Sequence, residues 1–152
     1  MIASVSEFLD PNLVVFMNAA SRNEALELLV DAAAKAGKLF DRSAFLDAIM
    51  KREHIVSTGI GMGVAIPHAK LSGFEDFFIV IGIQQGHEGI EWDALDGSSV
   101  RLIFMIGGPA DRQTDYLKIL SRLTIAIKDE GRRQGLMQSQ QGVEVIEWFQ
   151  GC

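Results

Sequence analysis

Cysteine and long apolar runs are both nearly absent from this sequence. These absences restrict the kinds of site and the cellular locations that we can expect for the protein. One cysteine, Cys152, occurs among 152 residues, which excludes an intrachain disulfide framework and a zinc site built on cysteines. The apolar runs, such as residues 77–83 and 102–106, are far too short to cross a bilayer. The first basic residue is Arg22, so the amino terminus lacks the charged start of a secretory signal. We therefore expect a cytoplasmic protein without membrane insertion.

Positive charge is scarce as well. The 14 lysines and arginines are outnumbered by 20 aspartates and glutamates, which leaves a net charge of -6. Binding to nucleic acid needs a basic surface that neutralises phosphates, so this balance argues against a nucleic-acid partner. It leaves open an encounter with a basic protein partner.

The sequence does contain enough apolar material for one folded domain. Apolar residues make up 48% of the chain and charged residues 22%, a balance typical of a globular protein with a buried core. No internal repeat, low-complexity tract or linker interrupts the chain. We therefore predict one domain over residues 1–152.

Turn signals and apolar periodicity predict both strands and helices. Ser21 and Glu24 form a capping-box pattern at the start of a helix that Gly37 ends, and a second helix starts at Asp41. The apolar runs lack clean alternation, which favours strands covered on both faces. The predicted fold class is α/β: a single domain in which helices pack on both faces of a mixed β-sheet. The predicted strands are residues 10–18, 64–66, 77–83 and 100–106, and the later helices are residues 111–128 and 142–150.

Residues 52–70, REHIVSTGIGMGVAIPHAK, form the chemically most informative segment. The glycines Gly59, Gly61 and Gly63 would let backbone amides approach an anion closely. They do not form a Walker loop, because no Gly-Lys-Ser/Thr follows, and their spacing is not that of a dinucleotide fingerprint. Taken alone, they favour a structural turn over a phosphate cradle.

His68 adds a candidate nucleophile to this segment. Pro67 directly before it stiffens the backbone, and a neutral imidazole is a competent nucleophile near pH 7. Phosphoryl transfer also needs groups around the equatorial oxygens; Arg52 could supply a guanidinium, and Ser57 and Thr58 could supply hydroxyls. The alternative is a hydrogen-bonded structural histidine. On chemistry alone the two interpretations carry equal weight.

The same segment resembles a known family. Residues 52–53, 57–61 and 63–68 together are similar to the active-site signature of the bacterial phosphotransferase-system (PTS) enzyme IIA of the fructose/mannitol type, which includes the nitrogen-regulatory IIA proteins. Residues 92–97, 100–106 and 109–111 resemble the second half of that family, and the similarity is strongest over residues 25–150. The resemblance implies a type-2 IIA domain with a mixed sheet, helices on both faces, and His68 as the phosphoryl acceptor.

The resemblance also implies partners and roles. An HPr-type phosphocarrier would be the donor to His68, and a IIB domain or a regulatory target protein would come next. Arg52, Ser57 and Thr58 would stabilise the phosphoryl group, and no cofactor or metal is expected. The chain would be a histidine phosphotransferase component and not a turnover enzyme on a small molecule. The lack of a fused IIB or membrane segment slightly favours the regulatory branch.

One position departs from the family pattern. Members commonly have a second histidine beside the first, and Tyr116 stands at the matching position here. A tyrosine hydroxyl can still donate to a phosphoryl oxygen, so we expect Tyr116 beside His68, either as a phosphoryl-stabilising group or as a half-buried aromatic. The departure keeps open an alternative function, a regulatory binding module with a vestigial, unphosphorylated site. A hydrolase that uses Ser57 and His68 is disfavoured because no Gly-x-Ser-x-Gly elbow is present.

Other polar residues have simpler interpretations. His54 and His87 lack the spacing of metal ligands and are expected on the surface or in loops. Asp93 and Asp96 flank a turn and are expected to form it. Glu53 is expected to orient the arginine before it through an ion pair.

Overall fold

One mixed β-sheet organises the part of the chain that the computed structural model describes, residues 4–86 and 88–152. Its six strands follow the order β1-β5-β6-β3-β2, and β4 pairs with β6 farther along the same edge as β3. These strands are β1 (Val14–Met17), β2 (Gly59–Gly61), β3 (Val64–Ala65), β4 (His68–Leu71), β5 (Phe78–Gln84) and β6 (Leu102–Pro109).

The two longest strands form the centre of the sheet. β5 and β6 are antiparallel to each other, while β1 runs parallel to β5, and both β3 and β4 run parallel to β6. Every residue of β5 and β6 is buried. The prediction that these apolar runs form strands covered on both faces is therefore confirmed.

Helices lie on both faces of the sheet. Because successive side chains of a strand point to opposite faces, Phe78 and Val80 of β5 pack with the first two helices, and Ile79 and Ile81 pack with the later three. Full burial of one such side chain contributes roughly 1.5–3 kcal/mol. The predicted α/β fold class, a mixed sheet with helices on both faces, is confirmed. In the described ranges the helices are α1 (Arg22–Lys35), α2 (Arg42–Ile55), α3 (Gln113–Ile127), α4 (Glu130–Gln138) and α5 (Gly142–Glu147).

The first two helices begin at the residues that the sequence predicts. The Ser21 hydroxyl accepts a hydrogen bond from the Glu24 amide at 3.2 Å, and the Asp41 carboxylate accepts one from the Ala44 amide at 3.0 Å. Such N-caps satisfy amides that have no partner within the helix. The capping side chains therefore fix where α1 and α2 start.

The predicted strand over residues 10–18 is too long. Asp10 accepts a hydrogen bond from the Asn12 amide at 2.8 Å and caps a 3₁₀ turn over Pro11–Leu13. This local hydrogen bond competes with the extended conformation, so that β1 starts only at Val14. The predicted strand over residues 100–106 starts at Leu102 and continues to Pro109.

The sequence does not predict helix α4. Two glycines, Gly131 and Gly135, interrupt its pattern, and glycine weakens a helix by about 1 kcal/mol relative to alanine. At Gly135 the structure shows why the residue is small, since a Cβ there would lie 2.0 Å from the ring of Trp148. Tertiary packing against the end of the chain thus outweighs the poor local propensity.

The edge of the sheet beside β6 holds His68 in place. Pro67 separates β3 from β4 and has no N–H, but its carbonyl accepts a hydrogen bond from the Ile106 amide at 2.9 Å. His68 is the first residue of β4 and lies opposite Ile106. The strand therefore continues along β6 on both sides of a proline break, and the imidazole emerges at that break. In the described ranges, no helix has the length and apolar character that a membrane span needs.

Candidate functional site

Two hydrogen bonds fix the His68 imidazole. Nδ1 lies 3.1 Å from the carbonyl oxygen of Ile66, and Nε2 lies 3.2 Å from Nε of Arg52. A carbonyl only accepts and a guanidinium only donates. The neutral ring therefore carries its proton on Nδ1, and its lone pair on Nε2 accepts the hydrogen bond from Arg52.

The surroundings of His68 keep the ring neutral. Burial is the largest influence and lowers the pKa of His68 below its ordinary value; the hydrogen bond to Ile66 opposes this, and the charges of Arg52 and Lys70 lower the pKa further. A lowered pKa leaves the lone pair on Nε2 unprotonated at neutral pH. The imidazole is thus oriented and available as a nucleophile.

Arg52 lies in the last turn of α2 and is anchored at the helix end. Its Nη1 donates to the carbonyl of Val56 at 2.8 Å while its Nε donates to His68. The side chain is half-buried. This places a permanently charged group with several N–H donors directly at the nucleophilic nitrogen.

Ser57 and Thr58 line the same cleft as His68, but their hydroxyls have protein partners. The Ser57 hydroxyl donates to the Trp92 carbonyl at 2.7 Å and accepts from the Gly59 amide at 3.1 Å. The buried Thr58 hydroxyl accepts from the Trp92 indole at 3.3 Å. In this arrangement the two hydroxyls stabilise the loop after α2. Their contact with a phosphoryl group stays a prediction.

The predicted ion pair between Arg52 and Glu53 is wrong. The Glu53 carboxylate turns away from the guanidinium and accepts hydrogen bonds from the Thr58 amide at 2.7 Å and the Thr58 hydroxyl at 2.6 Å. Adjacent residues of a helix point about 100° apart, so the two side chains leave α2 in different directions. Arg52 faces the cleft, and Glu53 faces the interior.

The glycine-rich loop is a structural turn. Gly61, Met62 and Gly63 all have positive φ, of 96°, 60° and 74°. The Met62 amide donates to the Asp96 carboxylate at 3.1 Å, and the Gly63 amide donates to the Ser98 hydroxyl at 3.3 Å. Because these amides already have partners, the loop does not offer them to a phosphate. The structure thus shows a turn at these residues, and the preference for a turn over a phosphate cradle stays a prediction.

Tyr116 lies beside His68, as the sequence predicts. Its ring centroid is 5.3 Å from that of the imidazole, and its side chain is buried. Burial raises the pKa of Tyr116, so its hydroxyl stays neutral at physiological pH. Lys70, which sequence reasoning missed, places Nζ 4.3 Å from the Tyr116 ring centroid and donates to Gln113. The signal was its position: two residues after His68 in a strand, a side chain lies on the same face.

These residues surround a cleft of about 400 Å³ between α3 and the β2–β3 hairpin. His68 and Arg52 lie in it together with Tyr116, and four apolar side chains form part of its wall. A second depression of about 480 Å³ lies on the other side of His68, bordered by Lys51 and Lys70. The apolar wall residues of the cleft are Ile60, Met62, Ile66 and Leu120.

Comparison with known proteins assigns the family. The model of the family "Phosphoenolpyruvate-dependent sugar phosphotransferase system, EIIA 2" matches residues 7–151. The chain belongs to this family. This IIA chain is 38% identical over 121 residues to the fructose-specific EIIA component of Haloferax volcanii, an alignment that covers 80% of this chain and 77% of the relative. The prediction of one domain over residues 1–152 goes slightly beyond the matched range and stays a prediction.

Solved structures have the same fold. The IIA chain superposes on the nitrogen regulatory protein IIA-Ntr of Neisseria meningitidis with a TM-score of 0.86 at 27% identity, covering 95% of this chain and 98% of the other. It also superposes on the Escherichia coli mannitol IIA enzyme, solved in complex with phosphorylated mannitol IIB, with a TM-score of 0.78 at 20% identity, covering 95% and 98%. At 20% identity, the superposition on the mannitol IIA enzyme shows a shared fold.

His54, Asp93 and Asp96 do not line the cleft that contains His68. His54 is exposed on α2, and His87 lies outside the described residues. Asp96 forms the turn predicted for it, and Asp93 adopts a positive φ of 62°. Hydrogen bonds from Ser98, more than any other influence, lower the pKa of Asp96 to about 2. Asp96 is therefore charged, and the hydrogen bond that it accepts from the Met62 amide stabilises the β2–β3 hairpin.

Proposed function

We propose that this IIA chain is a phosphocarrier that accepts a phosphoryl group on Nε2 of His68 from an HPr-type phosphohistidine protein. It then passes the group to a IIB domain or holds it as a regulatory signal. The observation that carries the proposal is the state of His68: Nδ1–H is held by Ile66, and the Nε2 lone pair lies beside Arg52 in the cleft. Phosphoryl transfer needs an aligned nucleophile next to a positive group.

The transfer balances without an outside acid or base. The Nε2 lone pair of His68 attacks the donor's phosphorus, one phosphorus–nitrogen bond forms, and the donor's phosphorus–nitrogen bond breaks. The donor imidazole leaves with that electron pair and keeps the proton on its other nitrogen. The Nδ1 proton of His68 stays on the hydrogen bond to Ile66, and Arg52 turns its N–H groups from Nε2 to the phosphoryl oxygens.

An apolar rim around the site suits a protein partner. Ile55, Val56 and Leu117 are 74%, 58% and 51% exposed. Ile55 borders the second depression beside His68, Val56 accepts the hydrogen bond from Arg52, and Leu117 follows Tyr116 in α3. Exposed apolar side chains next to a reactive group are typical of protein docking surfaces. This surface suits the IIB domain that we propose as acceptor, and we propose that the transfer takes place in the cytoplasm.

The relatives support two uses of the phosphoryl group. One relative is a fructose-specific component, which supports transfer towards sugar uptake, and one solved structure is a nitrogen regulatory protein, which supports a signalling use. Both uses need the same loaded His68. The chemistry at Nε2 is therefore the part of the proposal to test first.

The experiment combines the protein with phosphoenolpyruvate and the general phosphotransferase proteins. We expect an acid-labile mass increase of one phosphoryl group on the intact chain. His68→Ala should abolish it, while His54→Ala, a matched change of an exposed histidine on α2, should leave it intact. Labelling that survives His68→Ala contradicts the proposal. An unlabelled wild type favours the alternative of a binding module with a vestigial site.

A further inference from the structure

Glu53 is a buried carboxylate that the transfer step does not use. Its side chain is 3% exposed, and both of its oxygens accept hydrogen bonds from Thr58, one from the amide and one from the hydroxyl. Burying a charge is costly unless it is fully hydrogen-bonded. A neutral side chain of similar shape would avoid that cost, so the presence of a buried charge at Glu53 needs a functional explanation.

Three hydrogen bonds, joined by the backbone of Thr58 and Ile66, lead from Glu53 to His68. The Thr58 amide donates to Glu53 at 2.7 Å, and the Thr58 carbonyl accepts from the Ile66 amide at 3.0 Å. The Ile66 carbonyl then accepts from Nδ1 of His68 at 3.1 Å. The backbone of two residues, Thr58 and Ile66, thus links the carboxylate to the ring nitrogen opposite the nucleophilic one. In each of the three bonds the donor is on the His68 side and the acceptor on the Glu53 side, an orientation that a negative charge at Glu53 favours.

We propose that Glu53 is a positioning residue for His68, which acts through its charge and through the backbone of Thr58 and Ile66 to hold the imidazole in its Nδ1–H tautomer with Nε2 unprotonated. The inference rests on the proposed function, because the tautomer matters only if Nε2 accepts a phosphoryl group. The role resembles that of carboxylates that orient metal-binding histidines from a distance. Here the backbone of two residues lies between the carboxylate and the ring.

The charges around His68 give Glu53 a second effect. Arg52 from α2, Lys70 from β4 and Tyr116 from α3 face the imidazole, and Glu53, directed to the interior, acts on it through its charge. The charges of Arg52 and Lys70 lower the pKa of His68, and the charge of Glu53 raises it. Glu53 therefore also stabilises the imidazolium that exists while the ring carries the phosphoryl group.

The test compares Glu53→Gln with Asp47→Asn. Glutamine can still accept from the Thr58 amide and fill the same space, so the first variant removes mainly the charge. Asp47 lies on the same helix in an exposed ion pair with Lys51, so the second variant removes one charge without touching the path. The readouts are the ¹⁵N shifts of the His68 ring across a pH titration and the kinetics of transfer from a phosphorylated HPr-type donor.

We expect Glu53→Gln to lower the pKa of His68 and to reduce the share of the Nδ1–H tautomer. The maximal transfer rate should fall tenfold to a hundredfold, on the order seen when histidine-orienting partners are lost, with KM for the donor unchanged. Asp47→Asn should change none of these values. Ring shifts and rates that are the same in both variants would overturn the inference.

Two further measurements cover other outcomes. If Glu53→Gln does not fold, the wild type is titrated and the amide shifts of Thr58 and Ile66 are followed: they should titrate with the pKa of His68, and amides that do not respond overturn the inference. The ring shifts are read on the unphosphorylated protein. An unlabelled wild type therefore contradicts the proposed function, whereas an unaltered tautomer in Glu53→Gln contradicts only the role of Glu53.

Discussion

Nε of Arg52 lies 3.2 Å from Nε2 of His68, so the guanidinium covers the lone pair with which the imidazole is proposed to attack phosphorus. Nη1 of the same side chain donates to the Val56 carbonyl at 2.8 Å. The resting site therefore already holds the cation at the position proposed for the phosphoryl group. Only a local turn of the guanidinium is needed to exchange the ring nitrogen for phosphoryl oxygens.

Replacing Arg52 tests this arrangement. Arg52→Ala should slow transfer on the order of 10²–10³-fold, the usual effect of losing one preorganised charge-stabilising group. Arg52→Lys should also be impaired, because an ammonium cannot hold Val56 and the phosphoryl group with a fixed fork of donors. Since the charge of Arg52 lowers the pKa of His68, Arg52→Ala should raise that pKa. Rapid-quench transfer and an NMR titration of His68 measure the two effects.

The control for Arg52 is Arg42→Lys on the same helix. Arg42 pairs with Asp31 at the exposed surface between α1 and α2, where an ion pair contributes little. It should transfer at the wild-type rate. If Arg52→Ala only unfolds the protein, and its folded fraction transfers normally, Arg52 is a structural residue.

The sequence predicts the residues at the centre of this site better than the residues that hold them in position. His68 and Arg52 stand in a motif whose residue types already suggest the chemistry, and the family resemblance places Tyr116 beside His68, where the structure has it. The direction in which the Glu53 side chain points depends on the groups that donate hydrogen bonds to its buried carboxylate. That partner is Thr58, in the loop after α2, and no local pattern specifies it.

Elements that depend on distant contacts are also harder to predict. β4 has only four residues, of which two, Ala69 and Leu71, are aliphatic, and its pairing with β6 spans more than thirty residues of sequence. Helix α4 contains glycines that local propensity disfavours, yet Gly135 gives the Trp148 ring its space. In both cases long-range packing decides the structure, whereas α1 and α2 follow from caps that lie within a few residues.

The pKa of His68 also predicts how stability depends on pH. Burial lowers this pKa in the folded protein, so the unfolded chain takes up the proton at a higher pH, near the ordinary value of about 6.5. As the pH falls through the window below that value, the unfolded state binds more protons, and the folded state loses stability. The His68→Ala variant lacks this contribution to the pH dependence of the unfolding free energy. We expect the wild type to lose more unfolding free energy than His68→Ala between about pH 7 and pH 5, as measured by urea denaturation. A constant difference between the two proteins would contradict the lowered pKa.

Gly61 should be required for the hairpin that borders the cleft. It has a φ of +96°, and a Cβ there would lie 2.9 Å from a carboxylate oxygen of Asp96. Gly61→Ala should therefore cost about 1–3 kcal/mol of unfolding free energy through backbone strain, with a further loss from displacing Asp96. Gly37→Ala is the matched control, because its φ is +76° but nothing lies within 4 Å of its Cβ. Equal urea midpoints for the two variants would show that the contact with Asp96 is unimportant.

Tyr116 tests what the departure from the family's second histidine does. Burial raises the pKa of Tyr116, so its hydroxyl is neutral and its contribution should vary little between about pH 6 and pH 8. A histidine in its place could become cationic and offer a charge-assisted bond, which is roughly twice as strong as a neutral one. Tyr116→His should therefore introduce a new pH dependence of transfer near neutrality.

Tyr116→Phe separates the hydroxyl from the ring. Phenylalanine keeps an aromatic face for Lys70, whose Nζ lies 4.3 Å from the Tyr116 ring centroid, and it keeps the packing against His68. This variant should therefore slow transfer only modestly, with the pH profile of the wild type. The measurement is the rate of transfer from a phosphorylated HPr-type donor to wild type, Tyr116→Phe and Tyr116→His across that pH range. If all three proteins share one rate and one profile, Tyr116 is a packing residue and its hydroxyl has no part in holding the phosphoryl group.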